Sequence, residues 1–170
     1  MQIIAHEDAD GVCSAALVRM ADPSSKVFFS KPCSLLRDLD QMDTQSDLVV
    51  LDIALCELAK ELIVSKLSRW HGSVLYIDHH PLPPGLELAG FSAKVIHELA
   101  SCASELTYRT FQDRLPRKTS RIAIYGAIGD YADDTPFIQG LLKDWDKRTL
   151  YFEAGVLVQG LEGSRRDMRF

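Results

Sequence analysis

The chain has 170 residues, of which 46% are hydrophobic and 25% charged. That length sets one domain as the prior, and the composition is ordinary for a globular protein. No window of about 18 uncharged apolar residues occurs, and the N-terminus has no basic start followed by an apolar run, so neither a membrane span nor a secretory signal is expected and the cytoplasm is the expected location.

The formal net charge is −5. A nucleic-acid-binding domain usually carries a basic stripe. Here the basic residues gather only at Arg114, Arg117, Lys118 and Arg121, and at Arg165 and Arg166. An acidic excess also arises where carboxylates hold divalent cations, so a phosphate-bearing substrate stays open. The four cysteines, Cys13, Cys33, Cys56 and Cys102, have no two-residue spacing of the zinc or redox kind, and reduced thiols are expected.

Taken in chain order, residues 2–5 are apolar and predict a buried strand. Asp10-Gly11 opens a helix over residues 12–21, and Asp22-Pro23-Ser24-Ser25 is a turn. Residues 26–30 are a second strand candidate. Leu48-Val49-Val50-Leu51 is the continuous apolar run of a strand covered on both faces, and it ends at Asp52. Leu55, Leu58, Leu62, Ile63 and Leu67 recur near helical spacing and predict a helix over 55–69. Val74-Leu75-Tyr76-Ile77 is a further strand, ending at Asp78-His79-His80, and Pro81, Pro83, Pro84 and Gly85 then enforce a loop. A short strand is expected at 94–97. A helix follows from Ser101 or Cys102 to about residue 112, with Ser a good N-cap. Residues 122–128 fit helix slightly better than strand, with Thr119-Ser120 as a cap. A last helix is expected over 146–161, with Leu150, Ala154, Leu157 and Leu161 on one face. Strands alternating with helices imply an α/β fold: a mostly parallel sheet flanked by helices on both faces.

In open parallel sheets ligands bind beyond the carboxyl ends of the strands. Three apolar strands here end in metal-ligand types. The first delivers His6, Asp8 and Asp10, the second Asp52, and the third Asp78, His79 and His80. Carboxylate and imidazole donors fit Mn²⁺, Mg²⁺, Fe²⁺ or Zn²⁺. A bridging carboxylate can hold two ions about 3.5–4 Å apart, the spacing used in phosphoryl displacement. A single Asp at a strand end is ordinarily a cap or turn residue. The ordered set is what points to metal chemistry. Asp133 and Asp134 read as solvated loop acids. His71 and His97 receive no role, and no base is placed to activate Ser101 or Ser104.

His6-Glu7-Asp8-Ala9-Asp10-Gly11 resembles the first motif of the DHH phosphoesterase family. Val50-Leu51-Asp52 is similar to the second, Tyr76-Ile77-Asp78-His79-His80-Pro81 to the third, and Gly126-Ala127-Ile128-Gly129-Asp130 to the fourth. The family includes RecJ-type single-strand exonucleases, nano-RNA and cyclic-dinucleotide phosphodiesterases, and manganese-dependent pyrophosphatases. The resemblance implies a DHH-type, Rossmann-like domain with two Mn²⁺ ions, Mg²⁺ being possible. It implies that His6 and Asp8 bind one ion, that Asp10, His79 and Asp130 bind the other, and that Asp52 bridges them. His80 would then sit beside the phosphate, with Asp78 orienting the histidine pair. The first histidine lies two residues before Asp8, whereas in several branches the spacing is four. The implied substrate is single-stranded nucleic acid, a short oligonucleotide or a related nucleotide. The rivals are an inorganic pyrophosphatase, which would need a basic clamp, and a catalytically silent binding module of a replication or repair complex. Most members carry a second, smaller domain, so residues 1–145 are expected to form the catalytic domain. Residues 146–170 would be a helix and linker towards that second domain, absent here. On that expectation the chain alone would bind long strands weakly.

Overall fold

The computed structural model describes residues 1–86 and 93–167. A five-stranded sheet has the order β2-β1-β3-β4-β5, formed by β1 (Gln2–His6), β2 (Lys26–Ser30), β3 (Leu48–Leu51), β4 (Val74–Asp78) and β5 (Lys94–His97). Every pairing is parallel. The α/β class with a parallel sheet is therefore what the chain adopts. The chain runs outward from β1 to β2, then returns past β1 to build β3, β4 and β5. The switch between these directions lies between β1 and β3, where the crossovers diverge and leave a crevice at the carboxyl ends.

Alternate residues along each strand divide the core, because successive side chains point to opposite faces. Ile4, Val50 and Tyr76 pack with Leu35 and Leu39 of α2 (Leu35–Leu39) and Ile63 and Leu67 of α3 (Lys60–Ser68). Ile3, Ala5, Val49, Leu51 and Ile77 face the other way. There they meet α1 (Ala9–Ala21) through Leu17 and Val18, and α4 (Ala103–Phe111) through Leu106 and Phe111. α5 (Ser120–Gly129) lies over α1 and α4, and Ile124 and Ala127 begin a third cluster with α6 (Pro136–Leu142) and Leu150 of α7 (Lys147–Asp167).

Several element boundaries differ from expectation. α1 starts at Ala9 rather than residue 12, because Asp8 caps it and accepts from the Gly11 N–H. α3 starts at Lys60 rather than 55, since residues 56–59 form a turn closed by the Ala59 N–H on the Cys56 carbonyl. Leu58 and Leu62 consequently stay exposed, and only Ile63 and Leu67 of the periodic set within the helix reach the core. The N-cap of α4 is Cys102, not Ser101, and its side chain makes no capping bond. α6 begins at Thr135-Pro136, a Thr cap with Pro in the first turn, and neither α6 nor α2 is marked by its hydrophobic pattern. The backbone of α7 continues past residue 161 to Asp167. Arg169 and the side chains of Arg165 and Arg166 lie outside the described residues. Among the described residues no helix is long and apolar enough to cross a membrane.

Candidate metal centre

The crevice between β1 and β3 collects the acids and imidazoles. His6 closes β1, and its Nδ1 lies 2.5 Å from Asp8 Oδ2. Asp8 Oδ1 accepts from the Gly11 N–H at 3.0 Å, so one carboxylate caps α1 and holds the imidazole. Gly11 is required by close approach: a Cβ there would lie 2.8 Å from the His6 carbonyl carbon and would also strike its oxygen.

Asp10 sits in the first turn of α1 and is buried. Its oxygens accept from the Ala103 N–H at 2.7 Å and the Ser104 N–H at 2.8 Å. A residue from a distant helix therefore supplies the cap that Cys102 cannot. Two otherwise orphaned donors at the N-terminus of α4 are satisfied, and the helix dipole favours the negative charge.

Asp52 follows β3 with φ 58. An aspartate tolerates this left-handed region better than most residues. The turn aims the carboxylate into the crevice, 3.8 Å from His6 Nδ1 and 3.4 Å from His79 Nε2. His79 Nε2 is also 3.8 Å from Asp10 Oδ2 and 3.4 Å from Asp130 Oδ2, at the C-cap of α5. Three donor groups result: His6 with Asp8 and Asp52, Asp10 with His79 and Asp130, and Asp52 with His79 and His80. Asp52 and His79 are each shared by two of them. Asp52 Oδ2 and His79 Nε2 are buried without a hydrogen-bond partner. Buried polar atoms almost always have partners. Two orphans facing one another's carboxylates and imidazoles are what a cation site leaves when its donors are counted alone, so this donor set fits divalent metal.

The electrostatics agree. Burial, then the carboxylates of Asp10 and Asp8, push Asp52 well above the usual range. Burial raises Asp10, against the bonds from Ser104 and Ala103. Burial and the charge of Asp10 lift Asp130 to about 6, with His79 opposing. Burial also resists ionisation of Asp8, but the His6 bond and the Gly11 N–H outweigh it and hold that carboxyl far below its ordinary range. Crowded carboxylates that cannot all ionise alone are neutralised by a cation.

Asp78 ends β4 and is buried. Its Oδ1 lies 2.8 Å from His80 Nδ1, and Tyr76 Oη donates to its Oδ2 at 3.3 Å and to the Ile53 carbonyl at 2.5 Å. The bond from Asp78 to His80, above all, raises the His80 pKa. Asp78 thus holds His80 of the histidine pair. His97, given no role by sequence, places its Nε2 2.7 Å from the His80 carbonyl oxygen and pins the loop after β4. The signal was its place at the end of β5, where it registers with Asp78. Asp133 and Asp134 are outside the three donor groups, and Asp133 accepts from Tyr151 Oη. His71 sits by Thr44.

The model of the DHH family, N-terminal domain, matches residues 1–132. The chain belongs to the DHH family. Members of this family are metal-dependent phosphoesterases. Among solved structures, this DHH chain resembles RecJ in complex with Mn²⁺ from Thermus thermophilus, at 18% identity and a TM-score of 0.60, over 84% of this chain and 23% of that one. It also resembles an exonuclease RecJ bound to manganese, at 17% identity and 0.59, over 84% and 42%. An exopolyphosphatase-related protein from Bacteroides fragilis aligns at 16% identity and 0.53, over 90% and 55%. At these identities the structural likeness shows a shared fold alone, and the chain spans under two thirds of each of these relatives. No curated protein sequence matches it.

Proposed function

We propose that this chain carries the catalytic site of a metal-dependent phosphodiesterase acting on single-stranded nucleic acid, short oligonucleotides or related nucleotides. The observation that supports this most is the sharing of Asp52 and His79 between adjoining donor groups, with one buried orphan atom on each. In this reading His6 and Asp8 would hold one ion, Asp10, His79 and Asp130 would hold a second, and Asp52 would be shared between them. Mn²⁺ is the expected metal, and Mg²⁺ also suits oxygen-rich donors. Bound ions of this kind supply a water of lowered pKa and neutralise phosphate oxygens.

The remaining work belongs to side chains. Asp78 fixes the Nδ1 side of His80, which leaves Nε2 to face the substrate. The Asp78 bond raises the His80 pKa and so favours the protonated ring as donor to a phosphate oxygen or a departing alkoxide. Tyr76 and His97 act as positioning residues, one through the Asp78 carboxylate and one through the His80 carbonyl. Arg117 and Arg121 pair with Asp144 at 2.7 Å and Glu153 at 2.5 Å, so neither offers a free clamp for pyrophosphate. A single phosphodiester needs no such clamp.

Hydrolysis of short labelled oligonucleotides and of pyrophosphate with Mn²⁺ tests the reading. Mononucleotide release from the oligonucleotides is expected. Turnover of pyrophosphate alone would replace it with the pyrophosphatase, and no turnover by metal-loaded protein would favour a binding module.

A further inference from the structure

Between the C-terminal turn of α5 and α7 lies a groove of about 660 Å³, within the usual range of ligand sites. Its walls include Tyr131, Tyr151, Phe152, Val156 and Gln159. Tyr131 is 94% exposed, Phe152 74% and Val156 57%. Single exposed apolar residues are ordinary, but a contiguous aromatic set marks a binding surface.

Tyr131 is the informative member. α5 ends in a Schellman motif: the Ala132 N–H donates to the Ala127 carbonyl at 2.8 Å and the Tyr131 N–H to the Ile128 carbonyl at 3.3 Å. The residue at Tyr131 is then left-handed, with φ 56. Glycine is the usual occupant of that position, and a bulky side chain there is strained. Tyr131 and Asp52 are the non-glycine residues in this region of backbone space among those described. Asp52 belongs to the metal centre, and Tyr131 adjoins Asp130 of that centre. A strained tyrosine whose ring packs on almost nothing does not serve the fold.

We propose that this groove is a nucleobase subsite, in which Tyr131 stacks on the base of a nucleotide whose phosphate lies at the metal centre. The proposal rests on the phosphodiesterase reading above. Three features select this occupant. Gly129 and Tyr131, which flank Asp130 of the metal centre in the chain, both line the groove, so it adjoins that centre and can take the part of a molecule that is joined to a phosphate. Its lining residues carry no formal charge, so it suits the uncharged end of that molecule; Lys147 Nζ lies 5.4 Å from the Tyr151 ring centroid, and the exposed rings of Tyr131 and Phe152 are the ones that match a π-face of any base. The Gln159 amide offers both a donor and an acceptor to a base edge. The far wall is preset, because Tyr151 Oη is tied to Asp133. Gly155 leaves room opposite: a Cβ there meets nothing within 4 Å.

The experiment has two readouts on the full chain with Mn²⁺. Calorimetry compares binding of a nucleoside monophosphate with that of ribose 5-phosphate. Kinetics compare a dinucleotide with its abasic counterpart. The base should improve both affinity and kcat/KM by roughly tenfold or more, the scale of one stacked base. Tyr131→Gly should erase that advantage, read as the ratio of base-bearing to abasic substrate, and hold or raise the melting temperature, since glycine suits the turn. Gly155→Phe, which fills the groove, should erase it too. Base-dependent binding without turnover would overturn the phosphodiesterase reading and keep the subsite. Base-independent binding would overturn the subsite. If Tyr131→Gly instead splits a dimer in sedimentation and leaves base dependence untouched, the groove is a self-association surface and the proposal fails.

Discussion

Asp52 combines three costs in one residue: burial, an orphan oxygen and a left-handed backbone. Such strain is of order 1–3 kcal/mol and is retained where the site requires it. Its two consequences have opposite signs. Asp52→Asn keeps a residue that tolerates the left-handed region and removes a buried charge. The metal-free protein should gain about 1 kcal/mol of stability, as other relieved active-site residues do. Turnover should fall more than about 100-fold, beyond the loss typical of residues that merely support metal ligands. Thermal melts without metal, beside rates with Mn²⁺, check both. A variant that loses stability along with activity would mark Asp52 as structural. The adjacent histidines should separate in the same way. His79→Ala should weaken Mn²⁺ binding in calorimetry. His80→Ala should leave that affinity nearly unchanged and lower turnover by roughly 10²–10⁴, the usual contribution of a proton-transfer group. Equal loss of metal in both variants would reverse the assignment.

α1, α4 and α5 meet at Asp10, and here the elements and the site depend on one another. Gly126 of α5 makes the meeting possible, because a Cβ there would lie 2.6 Å from Ser104 Cβ and 2.9 Å from Asp10 Oδ1, and would strike Ser104 Oγ. Gly126→Ala should cost about 1–3 kcal/mol, the usual range for overpacking, despite alanine's better helix propensity. Ser104→Gly should return part of the loss, and additive melting shifts for the pair would show that the clash is not the cause. None of this was legible in the chain. Asp10 reads from the sequence as a candidate metal ligand, but its service to α4 depends on a contact 93 residues away. The strands were legible because runs such as Leu48-Val49-Val50-Leu51 are apolar without interruption. Asp8, Asp10, Asp52 and Asp78 were legible because each follows such a run, whereas Asp130 ends a helix and was read only from the resemblance of its motif. α3 reads too long because Leu58 and Leu62 fit a helical period that the fold leaves in water. α6 escapes a reading by apolar period, since its seven residues are too few to show one, although Thr135-Pro136 is a helix-start signal. His97 escaped because its partner is a backbone carbonyl, which no side-chain pattern announces.

At the scale of the molecule, the β1/β3 switch draws carboxylates from separate segments into one crevice, and the charge they share governs stability against pH. Asp130 is raised from 3.8 to about 6, chiefly by burial, and burial also raises Asp10 and Asp52. A carboxyl whose folded pKa is raised adds stability that is fully present below its unfolded value and is lost as pH rises through the folded one. For Asp130 that window runs from 3.8 to about 6. Asp8 is lowered instead, so its contribution is present above its unfolded value and fades as pH falls through its folded one. Asp38 and Glu98, also lowered, act in the same sense as Asp8 from the surface, where screening makes them small. Metal-free protein should therefore lose melting temperature as pH rises through the Asp130 window. A bound divalent cation offsets the repulsion that appears there, and its stabilisation grows as its ligands deprotonate. The gap in melting temperature between Mn²⁺-loaded and metal-free protein should widen across that interval. Asp52→Asn should flatten the metal-free curve, because one of the three carboxyls whose pKa folding raises is gone. A gap of constant size at every pH would show that these carboxylates do not share a cation, and the metal centre would have to be abandoned.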